Sequence, residues 1–232
     1  MGLPIQTAPT YTCKLSTGIV KFRPFLVKEQ KYLLVARESE DNLEILEAVK
    51  NIITNVTNGE VDADMLPIYD LEFLFLNIRA KSVGETSTIL LNCSDEECRG
   101  NGQVDVDLST VTVVGDHKDN KVMLSDELGV MLRFPSTSKL AELESIEDLE
   151  RQGLEMVAEG IESIFDLENV YEADDISAEE LKDFIESLTI DQLELLSDWF
   201  GNVPSVSKEV SYTCNVCSKE STRTLTGLSS FF

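Results

Sequence analysis

Apolar positions recur along the chain with two different periods, and the switches between them mark its elements. Polar and apolar residues alternate from Tyr11 to Ser16, and this stretch and Ile19 to Phe22 flank Thr17-Gly18, a dipeptide suited to a tight turn. A β-hairpin is expected there, closed by Pro24, which has no backbone donor to continue a ladder. From Val27 the period becomes helical: Leu33 and Leu34, then Leu43, Ile45, Leu46, Val49, Ile52, Ile53 and Val56 recur at three and four residues. This predicts two helices joined near Ser39 to Asp41, with Asp41 or Asn42 placed to cap the second. After the Asn58-Gly59 turn, Pro67 sits where a helix can begin. Leu71, Phe73, Leu74, Phe75, Leu76 and Ile78 make the segment that follows apolar around most of its circumference. A helix of that kind should be the most buried of the chain.

Thr86 to Leu91, Gln103 to Val114, Lys121 to Leu124 and Val130 to Phe134 are β-branched or alternating stretches separated by Gly, Asp and Asn. They read as strands of one small antiparallel sheet that Pro135 closes. Beyond it, Ile146, Leu149, Leu154, Val157, Ile161 and Ile164 form a helical stripe. Ser177 with Glu180 makes a capping box before Leu181, Phe184, Ile185 and Leu188, and a last short helix runs from Asp191 to Phe200. Gly201 is suited to stop that helix in the left-handed conformation and Pro204 prevents its resumption. Lys208 to Cys214 and Ser221 to Leu225 then read as a final hairpin.

Charge sharpens this division. Lys139 to Asp198 holds 20 acidic and 3 basic residues, whereas the segment before it is far less acidic and the segment after it is slightly basic. The expected organisation is a mixed α/β part over residues 1–138, an acidic helical segment over 139–200 and a C-terminal hairpin over 201–232 that packs back on the sheet. The fold class is α+β, a small antiparallel sheet with cysteine-knuckle hairpins plus helical segments. The net charge of −24 argues against a nucleic-acid backbone or an anionic membrane as main partner. No apolar run reaches the ~18 residues of a membrane span, and Met1 to Thr12 lacks the basic start and apolar core of a signal peptide, so a soluble cytosolic protein is expected. The acidic helices can steer a basic partner protein, or serve solubility alone.

Most of the candidate chemistry lies in cysteines. Cys93 and Cys98 lie between two predicted strands, and Cys214 and Cys217 between two more, so each pair occupies a hairpin tip. Two tips supply four thiolates, the donor set of a structural zinc ribbon with no position left for water or substrate. The alternatives are reduced surface cysteines or two local redox pairs, and only Arg99 lies close to the first pair. Cys13, in Tyr11-Thr12-Cys13, echoes Tyr212-Thr213-Cys214 but is surplus to four-coordination and reads as a buried structural residue. His117, the only histidine, sits in a polar turn and is expected in solvent, which leaves Ser/His/Asp and Cys/His catalysis without a base. Phosphate-loop, dinucleotide, metalloprotease and calcium-loop signatures are absent too. No catalytic or small-molecule site is expected and the protein reads as a non-enzyme. A thiol enzyme using Cys214 and Cys217 would need that pair to open a helix, whereas it lies between strands. Trp199 is expected to pack inward, while the two terminal Phe residues could pack or serve as an anchor.

Two longer strings and the C-terminus carry a resemblance. Val20-Lys21-Phe22-Arg23-Pro24-Phe25-Leu26 through Leu34, Tyr69-Asp70-Leu71-Glu72-Phe73 through Glu85, and Gly227-Leu228-Ser229-Ser230-Phe231-Phe232 after Cys214-x-x-Cys217 resemble the T4-like baseplate hub assembly proteins. The first knuckle departs from that pattern: Cys93 and Cys98 are separated by four residues where two are expected. The resemblance implies a late viral protein that builds the hub of a contractile tail baseplate, with other hub proteins as partners. It implies either a virion subunit or a factor that acts in the host cytoplasm and leaves. Arg23, Arg79 and Lys81 are then contact residues or members of buried ion pairs. The competing reading is a zinc-ribbon adaptor or regulator that binds nucleic acid or a host protein.

Overall fold

The alternation around Thr17-Gly18 is realised as an antiparallel hairpin, β1 (Tyr11–Leu15) with β2 (Gly18–Phe22), in a computed structural model that describes residues 8–38, 42–115 and 120–231. Cys13, Leu15 and Phe22 form its buried face. Helices α1 (Val27–Glu38), α2 (Asn42–Val56) and α3 (Ile68–Ser82) follow. Asn58 and Gly59 turn the chain with φ of 55° and 75°, the left-handed region that this dipeptide tolerates. Asp41 lies outside the described residues.

Two cores meet on α3. Leu71, Leu74, Phe75 and Ile78 join the hairpin, α1 and α2 in one cluster, while Leu76 and Ala80 join a second with strands described below. The helix is apolar on most sides because most of its sides are covered. Each such Leu, Ile or Phe contributes about 1.5–3 kcal/mol by leaving water. Asp70 is its buried polar residue, 2% exposed, and accepts hydrogen bonds from the backbone N–H and the hydroxyl of Ser16, pinning the hairpin turn to the helix.

A second polar clasp joins the hairpin exit to the helices. Arg23 donates to both Glu29 carboxylate oxygens at 3.0 and 2.7 Å and to the carbonyls of Pro24 and Asn55, and Glu29 also accepts from the Leu26 N–H at the start of α1. Burial pushes the Glu29 carboxyl up, but the hydrogen bonds from Arg23 and Leu26 outweigh it and hold it below the usual carboxylate range. Arg23 is therefore an ion-pair member.

The strands beyond α3 separate where a single sheet is expected. β3 (Thr86–Asn92) pairs with β4 (Asn101–Asp107), but Asp107 then caps a 3₁₀ turn, Leu108–Thr110, by accepting from the N–H and hydroxyl of Ser109. The chain re-emerges as β5 (Thr112–Val114) and pairs elsewhere. β6 (Lys121–Met123) and β7 (Gly129–Leu132) form a four-stranded antiparallel sheet with β8 (Ile161–Phe165) and β9 (Val170–Glu172), in sequential order. Around it come α4 (Thr137–Glu144), α5 (Leu149–Gly160), α6 (Ala178–Glu186) and α7 (Ile190–Gly201). β10 (Ser205–Thr213) and β11 (Glu220–Thr226) are the final hairpin, and β5 lies on the other edge of β10.

The chain accordingly forms two units, Gly115–Pro204 and the remainder. The change falls at Val114/Gly115, not at 138/139, because β6 and β7 ladder with β8. The helical stripe is also shorter than its periodicity predicts: α5 stops at Gly160 and Ile161 and Ile164 lie on β8. The Gly160 carbonyl accepts from the Arg133 N–H at 2.7 Å, and a Cβ there would stand 2.0 Å from the Phe200 ring. Strand pairing wins over helical period. Gly201 belongs to α7 and is not left-handed; the helix ends at Asn202, with φ −103°. The Ser177 capping box is present, as is a second from Thr189 and Gln192. Trp199 stacks on Phe134 with ring centroids 4.3 Å apart. Phe231 is fully buried in the second core of the first unit, and Phe232 lies outside the described residues.

Replacing Glu29 by Gln should cost about 2 kcal/mol at pH 7 in urea unfolding, since Arg23 loses its buried counter-ion. Because the folded carboxyl titrates below its unfolded value of about 4.3, the difference from wild type should be fully present above that pH and disappear as pH falls through the lower folded value.

Candidate metal centre

Each cysteine pair closes one β-hairpin of the first unit. Cys93 and Cys98 bracket the turn between β3 and β4, where Cys93 N–H donates to the Gly100 carbonyl and Cys98 N–H to that of Asp95. Cys214 and Cys217 occupy the turn between β10 and β11, where Cys214 N–H donates to the Lys219 carbonyl and Ser218 takes a left-handed φ of 57°. The two turns are bonded to each other. Asn215 N–H donates to the Asn101 carbonyl at 2.8 Å, the two side-chain amides bond at 2.9 Å, and the Tyr212 hydroxyl donates to the Asn92 carbonyl at 2.7 Å. Ser94 and Ser221 hydroxyls add a contact of 2.6 Å.

Between these bonds the four sulfurs converge. Cys93 Sγ lies 3.6 Å from Cys217 Sγ and Cys98 Sγ 3.8 Å from Cys214 Sγ, and all four fall within 4.8 Å of one another. A tetrahedron with metal–sulfur bonds of ~2.3 Å has edges of about 3.8 Å, so the donor set fits a zinc-sized cation. Disulfides need sulfurs at ~2.05 Å, and all the cysteines are free thiols.

The electrostatics of the group are those of thiols crowded together. The backbone N–H groups of Cys217 and Val216 pull Cys214 down to about 6. At Cys93 the Asp95 N–H acts in the same sense, but burial and the neighbouring sulfurs outweigh it and push that thiol up to about 12. Cys98 is raised in the same way, the Gly100 backbone opposing burial and sulfur neighbours. One proton leaves easily and the next resists, because adjacent thiolates repel; a divalent cation removes that repulsion. With every position filled by sulfur, such a site is closed to substrate.

Two glycines make the convergence possible, and their spacing after Cys98 is the signal that a reading of the cysteines alone passes over. A Cβ on Gly100 would stand 2.5 Å from Cys214 Sγ, and one on Gly102 would stand 2.7 Å from the Thr213 carbonyl oxygen. Asn101 and Asn215 are equally unmarked by motif.

Cys13 is 5% exposed in β1 and outside the sulfur group; burial and the nearby Asp70 carboxylate push it up to about 12. Lys81 pairs with Glu85 and lies 5.6 Å from the Tyr11 ring centroid, and Arg79 donates to the Ser87 hydroxyl. His117 lies outside the described residues. Among those described, no helix is long and apolar enough to cross a membrane.

A family model described as T4 bacteriophage base plate protein matches residues 8–232, and the chain belongs to that family. No curated protein and no solved structure matches it. Membership makes it a structural protein of a phage baseplate, a tail component that assembles with other baseplate proteins.

Gly102→Ala should destabilise the first unit by about 1–3 kcal/mol, read as a lower urea midpoint, because the obstruction is a backbone carbonyl held in a ladder. Gly100→Ala should destabilise it too, because the Val216 Cβ would stand 2.8 Å away and must move with its backbone, and should raise the rate at which the thiols react with a chromogenic disulfide, since Cys214 Sγ is also displaced.

Proposed function

We propose that the protein is a structural or assembly subunit of the hub of a contractile tail baseplate. On this reading it works through contacts with other hub proteins, and Cys93, Cys98, Cys214 and Cys217 hold one structural zinc ion. The observation that carries the zinc reading is the sulfur spacing, 3.6 and 3.8 Å across the two hairpin tips, which matches the edge of a tetrahedral thiolate site. The hub reading is supported by family membership over residues 8–232 together with the ordered strings at Val20 to Leu34 and Tyr69 to Glu85.

The zinc acts as a cross-link between hairpins more than a hundred residues apart in sequence, and supplies no reaction chemistry because no coordination position is open. The net charge of −24 favours protein over phosphate-bearing partners. Assembly takes place in the host cytoplasm, and the product is the tail baseplate.

Native mass spectrometry of protein purified without chelator should give one zinc per chain that acid denaturation releases. Cys214→Ser should lose the metal and several degrees of thermal stability, whereas Cys13→Ser should keep the metal. Metal-free wild-type protein, with Cys93, Cys98, Cys214 and Cys217 all free to react, would refute the zinc site. For the hub, the tagged chain is co-expressed with the phage's baseplate proteins. Recovery of hub components with it is the expected result, and recovery only of proteins from the baseplate periphery would refute the assignment.

A further inference from the structure

The second unit carries an open groove of about 910 Å³ lined by α5, α6 and the turn before α6, with Arg133 after β7 and Ile161 of β8. Its apolar lining has a pattern. Leu154 and Ala158 stand four residues apart on α5, and Leu181 and Ile185 four residues apart on α6, so each helix offers a single stripe to the groove. Leu154, Ala158, Ile176 and Leu181 remain half-buried, while Ile185 is covered. The stripes thus continue the core of this unit outward and stop short of closure.

The polar lining is unbalanced, with seven carboxylates against three cations. All three cations are engaged: Arg133 with Asp174 at 3.2 Å, Arg151 with Glu155 at 3.8 Å and Lys182 with Glu186 at 3.6 Å. Glu150 and Glu179, one at the first turn of each helix, make no ion pair among the described residues. An apolar floor between ridges of two helices is the seat a third helix takes, by setting its own three- and four-spaced side chains between them. An anionic rim then selects cationic flanks and rejects nucleic acid. An uncharged small molecule would leave the rim unanswered.

We propose that this groove docks a cationic amphipathic helix of a partner protein, its apolar side chains at i, i+3, i+4 and i+7 on the Leu154–Leu181 floor and its Lys or Arg residues opposite Glu150 and Glu179. The inference rests on the reading that the protein works by protein contact, and names the kind of partner; it involves neither the cysteines nor the hub assignment.

The probe is a fluorescent helical peptide of about 15 residues made of Leu and Lys with that spacing. Its control is a peptide of the same composition with the leucines scrambled so that no face forms. Titrated with the full chain at physiological salt, the amphipathic peptide should bind at least about tenfold tighter than the scrambled one. The exposed double substitution Glu150→Lys/Glu179→Lys should weaken it by about tenfold, while the charge-matched Glu209→Lys/Glu220→Lys in the other unit should leave it within about twofold. Ala178→Trp, at an exposed position on the groove's edge, should obstruct binding without touching charge. Equal binding of both peptides, or equal loss from both charge reversals, would mean that only the overall charge is sensed and would overturn the groove. Self-association of the full chain that competes with the peptide and is lost in Glu150→Lys/Glu179→Lys would make a second copy the occupant and overturn the foreign helix. Circular dichroism, metal content and hub co-purification are read on the same variants, so misfolding, loss of the hub role and loss of the groove are distinguished.

Discussion

Covering α3 on nearly every side is the constraint from which the first unit follows. A helix with Leu71, Leu74, Phe75, Leu76 and Ile78 all at or below 1% exposure cannot lie on a surface, so one layer must meet each side of it. The N-terminal hairpin and two helices supply one layer, and strands from the middle and from the C-terminal part of the chain supply the other. Two buried carboxylates of this arrangement are hydrogen-bonded. Asp70 accepts from Ser16, and Glu29 sits between Arg23 and Leu26, so the buried carboxylates add directional ties to a non-directional core.

The cysteine group is the far end of that arrangement. β10 pairs with β5 at Ser205–Ser207 and carries on to Thr213, which brings its tip to Asn101 and Asn215 hydrogen bonding before any metal is considered. The hydrogen bonds position the sulfurs and the sulfurs alone repel. The proposed cation at the centre would turn the least favourable feature of the tip into a cross-link between hairpins whose approach costs loop entropy.

Much of this was legible because it is local. Periodicity gave the first hairpin, the three N-terminal helices and the fully buried character of α3; the Ser177 box and the paired cysteines follow from spacing at short range. What escaped is set by partners distant in sequence. Ile161 and Ile164 keep a helical period yet lie on β8, since β7 offers a ladder and Phe200 occupies the face of Gly160. The alternation of Gln103 to Val114 shifts phase across Ser109-Thr110, a slip that reads equally well as a bulge within one strand, and the Ser109 bonds to Asp107 show that the chain changes partner there. Gly201 carries the right residue for a left-handed stop, but α7 simply runs through it. At the site, the cysteines announce themselves while Gly100, Gly102 and the two asparagines do not, because their role is to permit or hold an approach that no local pattern encodes.

The two-part composition of the first unit has a consequence for synthesis. Its second core needs Val206, Val210, Tyr212, Leu225 and Phe231, whereas the segment Gly115–Pro204 contains all the strands of its own sheet. On the ribosome the inserted segment can therefore complete its tertiary structure while the flanking unit still exposes one apolar side of α3. That exposed side is a transient liability, open to chaperones and to premature association, until residues 205–231 emerge to cover it. The order in which the protein becomes competent to assemble is thus written into its connectivity: the acidic helices mature first, and the cysteine-bearing end last.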